Sequence, residues 1–503
     1  MFRIFAVSVV AILFAYCYLA EGNNSAQDEP PGPRALPVLG NLLDLARASD
    51  DMTKMFGVLS EKWGEIYTVK IGSKKTVVLT SKESMQKVLT DEGSYGRDLS
   101  GMMADRCWNK NLGIAFAEGE IWEKSRIWTF KTLKHFGLGK STEVENYVKR
   151  SSEPLFTEID KQIGSRGAVD VELLFSPAIL SIIWQLVVGR ISRADEPAIN
   201  LLSYHLNKFA LSSAVGAGLV NAFPVLRYIF PRWTGYKEQM AFFNASHEIA
   251  KNLYAESELK LKSSPDAAPA TNMLDAFVQN CVTEPSNIFN CLNFQLIFMD
   301  LFGAGTETTS TFMEACVLYL ISYPHVQEKV YQEILRIAPD GRPLNFSDRQ
   351  NMPYTQAFFL EAHRNSRTQQ TSVPRRALWD IKYKNYTIKK DTVILMDTRL
   401  HYEDKKIWGD PEVFRPERFI NQAGEIVNTK NIISFSFGRR ACPGEIHSIF
   451  VSFSLVTLML QRYKISSLEG EPKPRLDLRL SFSMKPYPFK AVFTNKGNLR
   501  GAG

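Results

Sequence analysis

Cys442 stands in the run Phe435-Ser436-Phe437-Gly438-Arg439-Arg440-Ala441-Cys442-Pro443-Gly444, just ahead of a helical pattern over residues 445–460. A cysteine at a helix start is placed to act as a thiolate. The first-turn amides lack intrahelical acceptors and can donate to sulfur, and the dipole favours negative charge there. Pro443 suits the first helical position. Gly438 and Gly444 would let the backbone come close to a flat ligand, Phe435 would shield the sulfur from water, and Arg440 would pair with an anionic group on that ligand. A buried structural cysteine is the usual fate of a lone one, but it explains neither the glycines nor the arginine.

A second constellation lies in the long apolar helix expected over residues 291–320, interrupted by Gly303-Ala304-Gly305-Thr306-Glu307-Thr308-Thr309. Glycines and β-branched residues are unfavourable at mid-helix. Small side chains at Ala304 and Gly305 would admit a planar group, and Thr308 can bond back to the carbonyl four residues earlier, opening a groove. Glu307 beside Thr308 supplies the carboxylate and hydroxyl that proton delivery needs. Alone, this heptapeptide would read as a solvated Glu and a core Thr. Glu361 and Arg364 are spaced i, i+3 as a helical salt bridge, with His363 on the helix surface between them. Trp122 and Arg126 are spaced i, i+4 and share a helix face.

The pattern F-x-x-G-x-R-x-C-x-G resembles the haem-ligand signature of the cytochrome P450 monooxygenases. The resemblance runs from the proline-rich hinge to Phe493 and is closest to the animal microsomal branch, with an invertebrate-like variant at residues 133–139. It implies a mostly α fold with a small β lobe, a long central helix over haem b, and a Cys-ligand loop before a C-terminal helix. Cys442 would ligate the iron, and Glu307 and Thr308 would be the family's acid–alcohol pair. Trp122, Arg126, Ala304, Arg375, Phe435, Gly438 and Arg440 would contact the cofactor, with Arg376 competing with Arg375 as a propionate ligand. Glu361, Arg364 and Arg418 would form a structural buried charge network. Electrons would come from NADPH through a separate flavoprotein, a NADPH-cytochrome reductase with or without cytochrome b5, since the chain has no G-x-G-x-x-G pattern. The implied reaction is hydroxylation or epoxidation of a lipophilic steroid, terpenoid hormone, fatty acid or xenobiotic. A haem isomerase or peroxide-dependent lyase, and a non-catalytic haem or lipid carrier, are the rival classes.

The elements that must position these residues come from a chain of 503 residues with 45% hydrophobic and 22% charged residues and a formal net charge of +7. That balance excludes a disordered chain, a polytopic membrane protein and a nucleic-acid binder driven by bulk charge. Six cysteines with no C-x-x-C pair argue for a reducing compartment and against structural zinc. Residues 4–20 are apolar and uncharged, at the lower limit for a spanning helix; an uncleaved anchor is favoured over a signal segment, and residues 21–34 read as a linker and proline-rich hinge. This places a single catalytic domain over residues 35–503, facing the cytosol from the endoplasmic reticulum membrane. Helical periodicity covers residues 51–63, 121–135, 143–162, 172–189, 195–215, 236–262 and 289–321. Hairpins are expected for residues 67–71 with 76–80, and for 386–388 with 392–395. Residues 214–233 are too apolar for a free loop and either cap the core or dip into a bilayer. Lys124, Lys131, Lys134 and Arg439 would make a basic face for an acidic electron donor. The polar run at 365–371 is unusual for the branch and would alter the pocket floor.

Overall fold

The computed structural model describes residues 28–49, 51–138, 141–212, 220–263 and 269–496. The expected anchor, most of the linker and residues 214–219 lie outside the described residues. Among those described, no helix is long and apolar enough to cross a membrane.

Helices dominate, close to where the periodicity places them: Lys82–Thr90 (α1), Gly119–His135 (α2), Ser141–Arg166 (α3), Ser176–Val188 (α4), Glu196–Ser212 (α5), Tyr236–Ser263 (α6), Cys291–Ser322 (α7), Pro353–Ser366 (α8) and Glu445–Arg462 (α9). The principal core lies where α4, α6, α8 and α9 pack around α7. Helix α7 is buried along almost its whole length, from Asn293 to Ile321. It runs unbroken through residues 303–309, as the helical period over 289–321 expects. Two glycines cost about 1 kcal/mol each in a helix, less than the burial of the flanking Phe298, Phe302, Phe312 and Met313 returns. Gly305 owes its size to packing: a Cβ there would meet Ile183 Cδ1 of α4 at 2.8 Å.

The small sheet begins with the expected hairpin, Ile66–Ile71 (β1) against Lys74–Leu79 (β2), antiparallel with Ile66 opposite Leu79. Arg375–Arg376 (β3), Ile381–Tyr383 (β4), Tyr386–Ile388 (β5) and Val393–Met396 (β6) follow. The second hairpin differs from expectation. β5 pairs back on β4, whereas β6 lies parallel to β2 and antiparallel to β3, giving the order β1-β2-β6-β3. Buried Ile394 and Met396 find apolar partners in Val77 and Leu79, a stronger demand than proximity along the chain.

Candidate haem-thiolate site

The Cys442 loop closes on itself, with the Cys442 amide donating to the Phe435 carbonyl at 2.8 Å and the Ala441 amide to Gly438 at 2.9 Å. The helix proper begins at Glu445 with Gly444 as its cap, so Pro443 precedes the first turn instead of occupying it. Gly444 and Glu445 amides still donate to the sulfur, and Arg126 acts in the same sense. Burial outweighs them and pushes the Cys442 thiol up. The chain alone therefore holds a thiol; coordination to a metal ion is what removes the proton. Cys442 is nonetheless exposed. A side chain both desolvated and accessible lines an internal space.

Gly438 has another purpose than approach to a ligand. Its φ is +73°, and a Cβ would lie 2.3 Å from the Leu89 carbonyl oxygen at the end of α1. Arg375 closes the same junction, donating to the Leu89 and Phe437 carbonyls at 2.7 Å each and to Ser436 at 3.2 Å. Arg376 turns outward to Glu118 and Asp391, so Arg375 is the one that faces the cysteine loop.

Arg440 donates to the carbonyls of Tyr95 at 2.9 Å and Ala117 at 2.6 Å, and its guanidinium carbon lies 3.7 Å from the Trp122 ring centre. Arg126 reaches the Ala441 carbonyl at 2.8 Å. Arg97, which no motif singled out, joins them through Ala115, Val373 and Pro374 carbonyls. Burial first, and mutual repulsion second, depress these guanidiniums: Arg440 to about 8, Arg375 to about 9 and Arg97 to about 10. An arginine keeps its proton in a protein, so the depression measures how poorly the chain compensates four clustered cations; Glu118 offsets it in part. Trp122 Nε1 and Arg440 Nη1 are buried without a hydrogen-bond partner. Two propionate carboxylates are what this cluster lacks, so the residues fit haem b.

On α7, Ala304 is exposed and Thr308 partly so, while Phe302, Thr306 and Glu307 around them are buried. The Thr308 hydroxyl donates to the Ala304 carbonyl at 2.8 Å, the back-bond its spacing predicts. Glu307 turns away from that face and meets the Ser483 hydroxyl at 2.7 Å. Behind the loop, Arg364 grips Glu361 with two 2.8 Å bonds and Arg418 adds a third at 3.1 Å. Both arginines also tie down carbonyls at 402, 408, 411 and 413. His363 is not on the surface as expected. It is buried, stacked 3.9 Å from Phe312 and edge-on to Phe435 at 5.3 Å, and burial lowers it to about 3. The α8 face that meets α7 leaves no room for a solvated side chain. The 365–371 run is also folded in: Thr368 accepts from Met484 and Gln370 from Thr398. The expected basic face is threaded with its own carboxylates, since Lys124 pairs with Glu120 and Arg439 with Glu123.

The sequence profile of the cytochrome P450 family matches residues 30–493. The chain belongs to that family. It is 30% identical over 491 residues to farnesoate epoxidase of Bombyx mori, covering 96% of this chain and 97% of that protein. It is 31% identical to cytochrome P450 2C29 of Mus musculus, over 92% of this chain and 94% of that one, and 31% identical to cytochrome P450 2B4 of Oryctolagus cuniculus, over 90% of each. This P450 is thus a haem-b monooxygenase whose electrons arrive through a reductase.

Proposed function

We propose that this P450 uses NADPH and dioxygen to hydroxylate or epoxidise a lipophilic small molecule, anchored at the endoplasmic reticulum membrane with its catalytic domain in the cytosol. The observation that carries the reading is the pairing of an accessible but desolvated Cys442 with the anion-deficient cluster of Arg97, Arg126, Arg375 and Arg440. Haem bound there supplies oxygen activation and electron transfer. The chain supplies the rest. Arg126, Arg375, Arg440 and Trp122 hold the propionates, and Gly444 and Glu445 amides donate to the sulfur and tune it. Thr308, anchored on the Ala304 carbonyl, keeps a hydroxyl at the groove, and Glu307, whose carboxyl rests on Ser483, would swing toward the groove to hand its stored proton to that hydroxyl. The exposed apolar side chains Val225, Tyr228, Ile229, Phe230 and Trp233 cluster in one short segment and suit insertion among lipids, which brings a lipophilic substrate to the pocket. Farnesoate epoxidation by the silk-moth relative makes terpenoid acids and their esters the first class to screen.

The test is a carbon monoxide difference spectrum of the reduced holoprotein, followed by turnover with NADPH, reductase and isotopically labelled dioxygen over a panel of terpenoids, steroids and fatty acids. A strongly red-shifted Soret band that is lost in Cys442→Ala, with one labelled oxygen in the product, supports the reading. A folded, haem-loaded wild type without that band overturns it.

A further inference from the structure

Behind α7 lies a buried ion pair that the site above does not use. Lys485, in the strand Met484–Pro486, places Nζ 3.1 Å from Glu314 Oε1, and both side chains are only 2% exposed. Glu314 also accepts the Leu173 amide at 2.8 Å. Glu307 lies two turns earlier on the same face, with Thr311 between them, its hydroxyl 3.3 Å from Glu307 Oε1. The Ser483 hydroxyl lies 2.7 and 3.0 Å from the two Glu307 oxygens. Lys485 attracts Glu307 at longer range without touching it. At the outer end, Glu172 repels Glu314 and is itself paired with Arg479.

Two carboxyls thus share one ammonium in a site closed to water. Ionising both would leave a net negative charge in a poorly polarisable interior, so one of them retains a proton. Glu314 holds the direct cation contact and a backbone amide, whereas Glu307 has two neutral hydroxyls. Burial pushes both upward, against the pull of Lys485, and the direct ion pair favours the ionised form at Glu314.

We infer that Lys485 and Glu314 are positioning residues for Glu307: their pairing withholds the ammonium from Glu307, which therefore rests as the protonated acid with its carboxyl on Ser483. The inference depends on the reading of Glu307 as the proton store. When Glu307 gives its proton to the groove, the electron pair stays on its carboxylate, Lys485 compensates part of the new charge, and a later proton taken back from the groove restores the acid.

The two partners act in opposite directions on Glu307, which a merely structural role would not produce. The ferric holoprotein is titrated by infrared spectroscopy, following the protonated-carboxyl stretch that disappears in Glu307→Gln. In Glu314→Gln the freed ammonium turns to Glu307, and the midpoint falls by about one pH unit or more. In Lys485→Met it rises by a similar amount, and Lys485→Arg stays near wild type. The carbon monoxide band establishes that each variant is folded; if Lys485→Met does not fold, the sign of the Glu314→Gln shift decides alone. Shifts in the same direction, no shift, or no carboxyl band dependent on Glu307 overturn the inference. Product yield of Glu307→Gln tests the proton-store reading separately. A normal yield overturns that reading, whatever the infrared result.

Discussion

The Arg440 guanidinium carbon sits 3.7 Å from the centre of the Trp122 ring, and each of the two side chains keeps one buried nitrogen that no protein atom satisfies. The cation–π contact fixes the relative position of two donors before their acceptor arrives, so little side-chain entropy is lost when it does.

Trp122→Phe keeps an aromatic face for Arg440 and removes the indole N–H donor. A hydrogen bond to a charged acceptor contributes about 1.5–3 kcal/mol, so haem retention is expected to weaken roughly ten- to hundredfold, and Arg440→Ala to weaken it further. The rate of haem transfer to excess apomyoglobin measures this. Retention equal to wild type in both variants would show that the propionates lie elsewhere.

Gly438→Ala and Gly424→Ala separate two costs. Both glycines have positive φ, +73° and +80°, but only Gly438 would drive a Cβ into another backbone, the Leu89 carbonyl. The φ penalty alone is about 1–2 kcal/mol. Gly424→Ala should lose about that in thermal unfolding and keep the full carbon monoxide band. Gly438→Ala should lose more and spoil the ligand loop, seen as a smaller red-shifted band per haem.

Glu307→Gln and Thr308→Ala are expected to keep haem and the red-shifted band while lowering product formed per NADPH, the remainder appearing as peroxide. General acid catalysis by a placed group contributes on the order of 10²–10⁴-fold, and a loss of roughly tenfold or more in coupled turnover is the expected outcome. Unchanged coupling in both would remove them from proton delivery.

His363→Phe tests an acid sensitivity built into the α7–α8 contact. The folded protein holds His363 neutral down to about 3, whereas an unfolded chain protonates it below roughly 6.5. The unfolded state therefore binds the extra proton between those limits, and stability is lost as pH falls through that window. Phenylalanine can stack on Phe312 as the imidazole does. Its unfolding free energy should depend less steeply on pH between 6 and 4, by close to one proton, in denaturant titrations at a series of pH values. Equal slopes would show that the ring is not held neutral.

Much of this was readable from the chain because it is local. The helices follow a 3.6-residue apolar period, the Cys442 loop is a contiguous motif, and the Thr308 back-bond and the Glu361–Arg364 pair are set by spacing within one helix. What stayed hidden depends on partners far along the chain. Arg97 carries no spacing signal and joins the cluster through carbonyls at 373 and 374. Lys485 and Glu314 meet only because a C-terminal strand lies against α7. Gly438 reads as an opening for a ligand, but it answers to a neighbour that the sequence does not place beside it, the Leu89 carbonyl.

The parallel pairing of β2 with β6 gives this chain a vulnerable interval during its synthesis. At about 5–20 residues per second, the ribosome needs on the order of 15–60 s to deliver Val393–Met396 after Lys74–Leu79 has emerged. Until then one edge of β2 presents unpaired amides and carbonyls beside Val77, Val78 and Leu79, an invitation to intermolecular pairing. Nascent chains arrested before residue 393 should therefore aggregate or stay bound to holdase chaperones, and those extended past β6 should be released.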